Sequence, residues 1–163
     1  MPTTLTALAT VVDPGQAVRV DAVTGTGFGL IFDTAAAGAD RAGPSPTESI
    51  LAALAGCTSM DVGAILRKKR QPADSYRIAV TGVKADEHPQ VYTSIVVEHQ
   101  VSGAIEPEAL RRAVELSATT YCPVSAMLSH AVRIEHRFRL IRQTGDEVNA
   151  LVAVTGPDGS EVL

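Results

Sequence analysis

Two cysteines, Cys57 and Cys122, are the residues of this chain best suited to nucleophilic redox chemistry, because a thiolate is a strong nucleophile. They are the only two cysteines among 163 residues, and neither lies in a C-x-x-C pair. That number and spacing match neither the disulfide framework of a small secreted domain nor a zinc-binding pattern. We therefore interpret the pair as either two inert core residues or a redox couple.

The local surroundings of the two thiols differ. Cys57 lies in the middle of a predicted helix, where a small buried thiol is common and the helix dipole does not stabilise a thiolate. Asp61, one turn further on, would raise the pKa of that thiol if it were ionised and close. Cys122 precedes Pro123, which fits the first position of a helix, so its sulfur is expected beside unpaired N–H groups. These local arguments predict that Cys122 is the more acidic thiol.

The four histidines give no metal-ligand pattern. His88 lies in a predicted turn, His99 and His136 on predicted strands, and His130 at the end of a short helix. His130 follows Cys122 by about two helical turns, so we expect no contact between them along that helix. A cysteine–histidine hydrolase could arise only through the tertiary fold, and that alternative stays open. No metal site is predicted.

The composition disfavours a nucleic-acid or membrane partner. The formal net charge is −4, and the chain has three Phe, three Tyr and no Trp, whereas nucleic-acid binding needs phosphate neutralisation and aromatic stacking. The longest apolar stretch, Ile50–Met60, is bracketed by Glu48 and Asp61 and is too short to cross a bilayer. The first residues lack the basic region of a signal peptide. We therefore expect a cytoplasmic protein.

The clearest structural signal is a capping box at residues 45–48, with sequence SPTE. Ser45 fits the N-cap, Pro46 the first helical position and Glu48 the third, so a helix is predicted from here to about Arg70. Residues 50–57 are apolar on every side, which predicts that this part of the helix is buried all round.

The remaining elements are predicted from hydrophobic periodicity and turn residues. The predicted strands cover residues 4–12, 16–23, 27–33, 75–85, 91–102, 132–140 and 147–155, and two further helices cover 106–119 and 123–130. The triplet Asp13-Pro14-Gly15 predicts a turn between the first two strands. Long β and α runs that do not alternate regularly favour an α+β fold, and the length favours one domain over residues 1–163.

Two segments carry a resemblance to the OsmC/Ohr family of osmotically inducible and organic hydroperoxide resistance proteins. The segment 43–62, which contains GPSPTE and LAALAGCTSMDV, resembles the first cysteine motif of that family. Residues 121–125, YCPVS, resemble the second. The order of the predicted elements is also similar, and the resemblance covers about residues 16–142.

The resemblance implies a fold and a chemistry. The fold would be α+β and OsmC-like, with antiparallel sheets wrapped around long central helices in an intertwined homodimer. The activity would be a peroxidase that reduces organic hydroperoxides without a metal or other cofactor and is recycled by an external dithiol. By residue-to-residue matching, Cys57 corresponds to the peroxidatic cysteine and Cys122 to the resolving cysteine, which would form a disulfide with it.

The chain departs from the family pattern at one place. Many peroxidase members carry a glutamate directly after the motif proline, and it holds an arginine near the reactive sulfur. Here Thr47 follows Pro46, and Glu48 comes one residue later. Arg19 and Arg41 are the only arginines before the helix, and neither lies in a motif that can be aligned. The chain therefore resembles a branch without the usual pair, with Glu48 and Arg19 as candidates to support the thiol.

A second function fits the same resemblance. The OsmC fold could serve as a binding or redox-sensing protein, with a small-molecule pocket at the dimer interface and no turnover. Consumption of a hydroperoxide with a dithiol would separate the peroxidase from this alternative.

Overall fold

The computed structural model describes residues 3–12, 19–34 and 40–163. They form a mixed α+β structure with two sheets and three α-helices, as the sequence predicts. The chain divides into two compact units, Met1–Ile50 and Leu51–Leu163. The predicted turn at Asp13-Pro14-Gly15 lies outside the described residues, and the single-domain assignment stays a prediction.

The first unit contains a three-stranded antiparallel sheet in the order β1-β2-β3. Its strands are β1 (Ala7–Val12), β2 (Arg19–Thr24) and β3 (Gly29–Asp33). β1 pairs with β2 from Ala7 opposite Thr24 to Val12 opposite Arg19. All six residues of β1 are exposed in the single chain.

The long helix α1 (Pro46–Lys68) begins at the predicted capping box. The Ser45 N–H donates to Glu48 Oε2 at 2.8 Å, and the Glu48 N–H donates to Ser45 Oγ at 3.3 Å. The helix ends where Arg70 adopts a φ of 59° and the Gln71 N–H donates to the carbonyl of Leu66. Local hydrogen bonds therefore fix both ends of α1, and the sequence predicts those at its N-terminus.

The predicted burial of residues 50–57 on every side is wrong for the single chain, in which Ile50 is 38% exposed. One stripe, spaced by four residues, is buried, and it comprises Leu54, Thr58, Val62 and Leu66. Met60 is 76% exposed. The reason is geometric: a single chain packs its own sheet and helices against one face of α1, so an apolar sequence on the other face stays uncovered.

The second unit contains a five-stranded sheet in the order β4-β5-β6-β7-β8. Its strands are β4 (Ser75–Lys84), β5 (Tyr92–Gly103), β6 (Arg133–Arg142), β7 (Glu147–Gly156) and β8 (Gly159–Val162). The predicted antiparallel pairing holds for the other neighbouring strands of this sheet, but β5 and β6 pair in parallel. Parallel strands need a crossover connection, and the segment between Gly103 and Arg133 supplies it.

The crossover consists of α2 (Pro107–Leu116), a π-helical turn (Ser117–Tyr121) and α3 (Pro123–Ser129). The sequence predicts one helix to residue 119. Instead, the helix changes at Ser117 to a wider π-helical turn, in which the Cys122 N–H donates to the Ser117 carbonyl at 3.0 Å. Pro123, which has no N–H to donate, then starts α3. The π-helical turn therefore sets the position from which the Cys122 side chain projects.

The core of the second unit lies between α1, the crossover and the sheet. One cluster joins Leu66 of α1 to Leu110 of α2 and Phe138 of β6. The other joins Leu54 of α1 to Val97 of β5, and it includes Cys122. The second cluster therefore brings the crossover cysteine to the helix that carries Cys57.

By length and composition alone, α1 could cross a bilayer. The core helix of a water-soluble domain meets the same criterion, and the buried stripe of α1 packs against β5, α2 and β6 in this chain. The absence of a membrane partner stays a prediction.

Candidate active site

The fold brings Cys57 and Cys122 together, although they are far apart in sequence. Their Sγ atoms and a carboxylate oxygen of Asp61 all lie within 4.8 Å of one another. Both cysteines are free thiols, with Cys57 half-buried and Cys122 only 2% exposed. The two thiols are thus neighbours, and Cys57 is the one that solvent reaches more easily.

Cys122 caps the N-terminus of α3, as the sequence predicts. Its Sγ accepts a hydrogen bond from the Ser125 N–H at 3.3 Å. Burial and, to a smaller extent, contact with Cys57 nevertheless raise the pKa of the Cys122 thiol to about 12, and together they outweigh the opposing effect of the Ser125 N–H. The prediction that the helix N-terminus makes Cys122 acidic is therefore wrong, because the N–H groups of Ser125 and Val124 do not replace the water lost around the sulfur.

Asp61 lies one helical turn after Cys57 on α1 and is half-buried. The hydroxyl of Ser117, from the π-helical turn, donates to Asp61 Oδ2 at 3.1 Å. A carboxylate can accept several hydrogen bonds, so this contact leaves acceptor sites for other donors. Ser117 thereby fixes the carboxylate beside the two sulfurs.

A chain of buried polar side chains leads away from Asp61. Ser117 Oγ lies 2.9 Å from Thr58 Oγ1, and Thr58 Oγ1 lies 3.4 Å from His99 Nε2. His99 Nδ1 lies 2.6 Å from the Tyr76 hydroxyl, and the two rings stack at 5.9 Å. The crossover, α1, β5 and β4 each contribute one of these side chains. The series of hydrogen bonds therefore forms only when all four elements are in place.

Two side chains in this series of hydrogen bonds, His99 and Tyr76, are held neutral. Burial lowers the pKa of His99 to about 3, and His136 on β6 adds to that shift. Burial raises the pKa of Tyr76, and the nearby charge of Asp61 raises it further. Both groups are therefore uncharged near neutral pH.

Sequence reasoning missed most of this network, although a signal for it exists. Thr58 lies on the buried stripe of α1, Ser117 follows the apolar stripe of α2, and His99 occupies an inward position of β5. A buried polar group needs a partner. Each of these three core-facing polar residues therefore predicts a buried hydrogen-bond partner, although the pattern does not identify that partner.

The two predicted supporting residues are each engaged by a near neighbour. Glu48 is bound by Ser45, whose hydroxyl donates at 2.6 Å, and these hydrogen bonds lower the pKa of Glu48. Arg19 Nε donates to Asp21 Oδ1 at 2.9 Å, and that pairing raises the pKa of Arg19. Their support of Cys57 stays a prediction, and Glu48 has a structural role as the helix cap.

The three grouped side chains could also hold a metal ion. Two thiolates and a carboxylate are ligands that Zn²⁺ accepts, and they form the one such group among residues 3–12, 19–34 and 40–163. The prediction of a site without metal stays a prediction.

Comparisons of sequence match the chain to known proteins. The family model described as "OsmC-like protein" matches residues 38–137. Protein YhfA of Escherichia coli (strain K12) is 38% identical over 99 residues, which cover 60% of this chain and 74% of that protein. The match to the family model includes both Cys57 and Cys122.

Comparisons of structure also find OsmC proteins. An OsmC-like protein from Mycoplasma pneumoniae superposes with a TM-score of 0.71 at 14% identity, over 87% of this chain and 99% of that one. An organic hydroperoxide resistance protein OsmC from Legionella pneumophila superposes with a TM-score of 0.57 at 16% identity, over 81% and 93% of the two chains. At these identities the likeness concerns the fold.

Proposed function

The chain belongs to the OsmC-like family, and from this membership we propose that it is a thiol-dependent peroxidase that reduces organic hydroperoxides. The observation that carries the proposal is the proximity of the Cys57 and Cys122 sulfurs, within 4.8 Å. A sulfenic acid formed on one cysteine thus has a second thiol beside it. Among structural relatives, the Legionella pneumophila protein is named for organic hydroperoxide resistance.

The first step of the proposed reaction takes place at Cys57. Its thiolate attacks one peroxide oxygen and the O–O bond breaks. The alkoxide takes up a proton and leaves as the alcohol, while Cys57 becomes a sulfenic acid. Cys57 is the reasonable first nucleophile because it is half-buried, whereas Cys122 is 2% exposed.

The second step uses Cys122. Its sulfur attacks the sulfur of the Cys57 sulfenic acid, the S–O bond breaks, and hydroxide leaves as water after taking up a proton. The product is a Cys57–Cys122 disulfide. An external dithiol reduces it by two thiol–disulfide exchanges and restores both thiols. The peroxide and the dithiol are the only reactants that this cycle needs.

We further propose that the working protein is a homodimer. In the described part of the single chain, large apolar side chains stay exposed on both units, for example Leu8, Phe28 and Met60. Exposed apolar surface of this extent is typical of an interface. A second copy of the chain is the partner that the family membership favours.

A thiol count with intact mass tests the peroxidase proposal. The reduced protein is treated with one equivalent of an organic hydroperoxide per chain and, in parallel, with hydrogen peroxide. We expect loss of both thiols, a mass lower by two hydrogens, and a faster reaction with the organic peroxide. Two thiols that survive unchanged would overturn the proposal and favour a binding or redox-sensing protein.

A further inference from the structure

The hydrogen bonds that lead to Asp61 have a direction fixed by chemistry. An ionised carboxylate only accepts, so the Ser117 hydroxyl donates to Asp61. Ser117 Oγ then accepts from Thr58, and Thr58 Oγ1 accepts from His99 Nε2–H. His99, neutral at physiological pH, has Nδ1 left as an acceptor for the Tyr76 hydroxyl. Every donor therefore points towards Asp61.

This arrangement holds a carboxylate beside both thiols. A carboxylate near a thiol opposes thiolate formation, because two like charges in a poorly solvated site are unfavourable. The thiols can still ionise if their proton moves to the carboxylate itself. The net charge of the site then stays constant, and no second negative charge builds up beside the first.

The proposed peroxidase cycle has two proton transfers that need such a group. The Cys57 thiol must lose a proton that the leaving alkoxide gains. The Cys122 thiol must lose a proton that the leaving hydroxide gains. Burial raises the pKa of the Cys122 thiol to about 12, so this thiol keeps its proton at neutral pH. A base beside the sulfur would speed its attack by taking that proton as the new bond forms.

We propose that Asp61 is the proton acceptor for both thiols and returns each proton to the departing oxygen, with Ser117 as its positioning residue. This inference rests on the proposed function. In the first step the Cys57 proton passes to Asp61 and then to the alkoxide. In the second, the Cys122 proton passes to Asp61 and then to hydroxide. Asp61 ends each step ionised, so neither step needs a further acid or base.

The geometry allows both transfers. The Asp61 oxygen lies within 4.8 Å of both sulfurs, a separation that one intervening water or a small side-chain rotation spans. The hydrogen bond from Ser117 occupies Oδ2 and limits rotation of the carboxylate. Because the Ser117 carbonyl also accepts from the Cys122 N–H, one residue positions both the base and the second thiol.

The titratable groups that face Asp61 come from four elements. They are Cys57 on α1 itself, Cys122 at the start of α3, Tyr76 on β4, and His99 on β5 through Thr58 and Ser117. His99 and Tyr76 stay neutral at the pH of the experiment. The thiols and the carboxylate are therefore the groups whose protons can move in this site.

The test uses Asp61→Asn, which keeps the shape and an acceptor for Ser117 but cannot take a proton. The matched control is Asp158→Asn, which removes the same charge from an exposed turn. The substrate is a chromogenic aromatic disulfide. Cys57 attacks it and releases one aromatic thiolate, and Cys122 then attacks the mixed disulfide and releases the second. The second phase reports proton loss from Cys122 without any peroxide.

The expected result is a difference in pH dependence. In the wild-type protein and Asp158→Asn, the rate of the second phase is nearly constant from pH 6 to 9, because the proton stays within the site. In Asp61→Asn it is lower by about 100-fold at pH 7, the usual range for loss of a general base. That deficit shrinks about tenfold for each unit of pH, because the rate then follows the thiolate concentration.

Two results would overturn the inference. If Asp61→Asn reacts as fast as the wild type or faster, the carboxylate acts only as a repelling charge. If its deficit is the same at every pH, the effect is structural. Ser117→Ala and Asp61→Glu serve as second variants, and we expect the pH dependence of the wild type with reduced rates. A wild type that consumes no peroxide but keeps this disulfide behaviour would refute the proposed function and the return of a proton to a peroxide oxygen, while proton transfer from the thiols to Asp61 would stand.

Discussion

The sulfur of Cys122 lies within 4.8 Å of the sulfur of Cys57, at the junction of the crossover and α1. The two cysteines differ in exposure, since Cys57 is half-buried and Cys122 is 2% exposed. In the proposed cycle a peroxide would therefore reach Cys57 before it reaches Cys122. This difference in exposure supports the proposed order of the two thiols.

Serine substitutions test that order. Cys57→Ser is expected to consume no hydroperoxide, because the accessible nucleophile is gone. Cys122→Ser is expected to react once and to stop as a sulfenic acid, seen by intact mass as a gain of one oxygen atom. Loss of the first step in Cys122→Ser, with activity kept in Cys57→Ser, would show that the roles are reversed.

Substitutions of Glu48 separate its structural role from a catalytic one. Glu48→Gln keeps the reciprocal hydrogen bonds with Ser45, since glutamine also completes a capping box. We expect wild-type stability and peroxide consumption for Glu48→Gln, and a lower free energy of unfolding for Glu48→Ala, because alanine removes the side-chain acceptor of the Ser45 N–H. A large loss of activity in Glu48→Gln would instead show that the charge supports Cys57.

Acid is expected to destabilise the protein through two buried histidines. Burial lowers the pKa of His99 to about 3 and that of His136 to about 4, against about 6.5 in an unfolded chain. Below pH 6.5 these histidines bind protons in the unfolded chain but not in the folded chain. The free energy of unfolding therefore falls as the pH falls. The loss is about 1.4 kcal/mol per histidine for each pH unit.

Urea unfolding at pH 8, 6 and 5.2 measures this loss above the range in which ordinary carboxyl groups titrate. His136→Gln is expected to remove about half of the pH dependence. His88→Gln, at an exposed position, is the matched control and is expected to keep it. A free energy of unfolding that does not change between pH 8 and 5.2 would contradict the prediction.

The proposed homodimer is tested by sedimentation equilibrium. We expect a mass of twice 17.0 kDa at micromolar concentration. Met60→Glu places a charge on the uncovered face of α1, where Met60 is 76% exposed, and is expected to weaken the dimer at least tenfold. A stable monomer of the wild type at micromolar concentration would contradict the intertwined arrangement.

The sequence predicts the helices and strands better than it predicts the tertiary contacts between them. The capping box at Ser45 and the N-cap role of Cys122 are local effects, and the structure confirms both. The parallel pairing of β5 with β6 depends on contacts that no local pattern encodes. The elevated pKa of Cys122 has the same origin, because burial depends on which elements pack around the sulfur.

The hydrogen-bond network beyond Asp61 is only partly predictable from the sequence. Thr58 and His99 each occupy a core-facing position in a recognisable pattern, so their burial follows from periodicity. Their mutual contact does not, because it depends on how α1 lies across β5. A buried polar residue is thus predictable from one element, while its partner is known only from the assembled core.

The parallel pairing of β5 and β6 also affects the order in which the chain matures. The crossover that joins these strands contains Cys122, and pairing over such a sequence separation forms slowly because the intervening loop must close first. During synthesis Cys57 leaves the ribosome well before Cys122. The nascent chain therefore passes through a period in which Cys57 lacks its neighbouring thiol, and slow closure of the crossover lengthens that period.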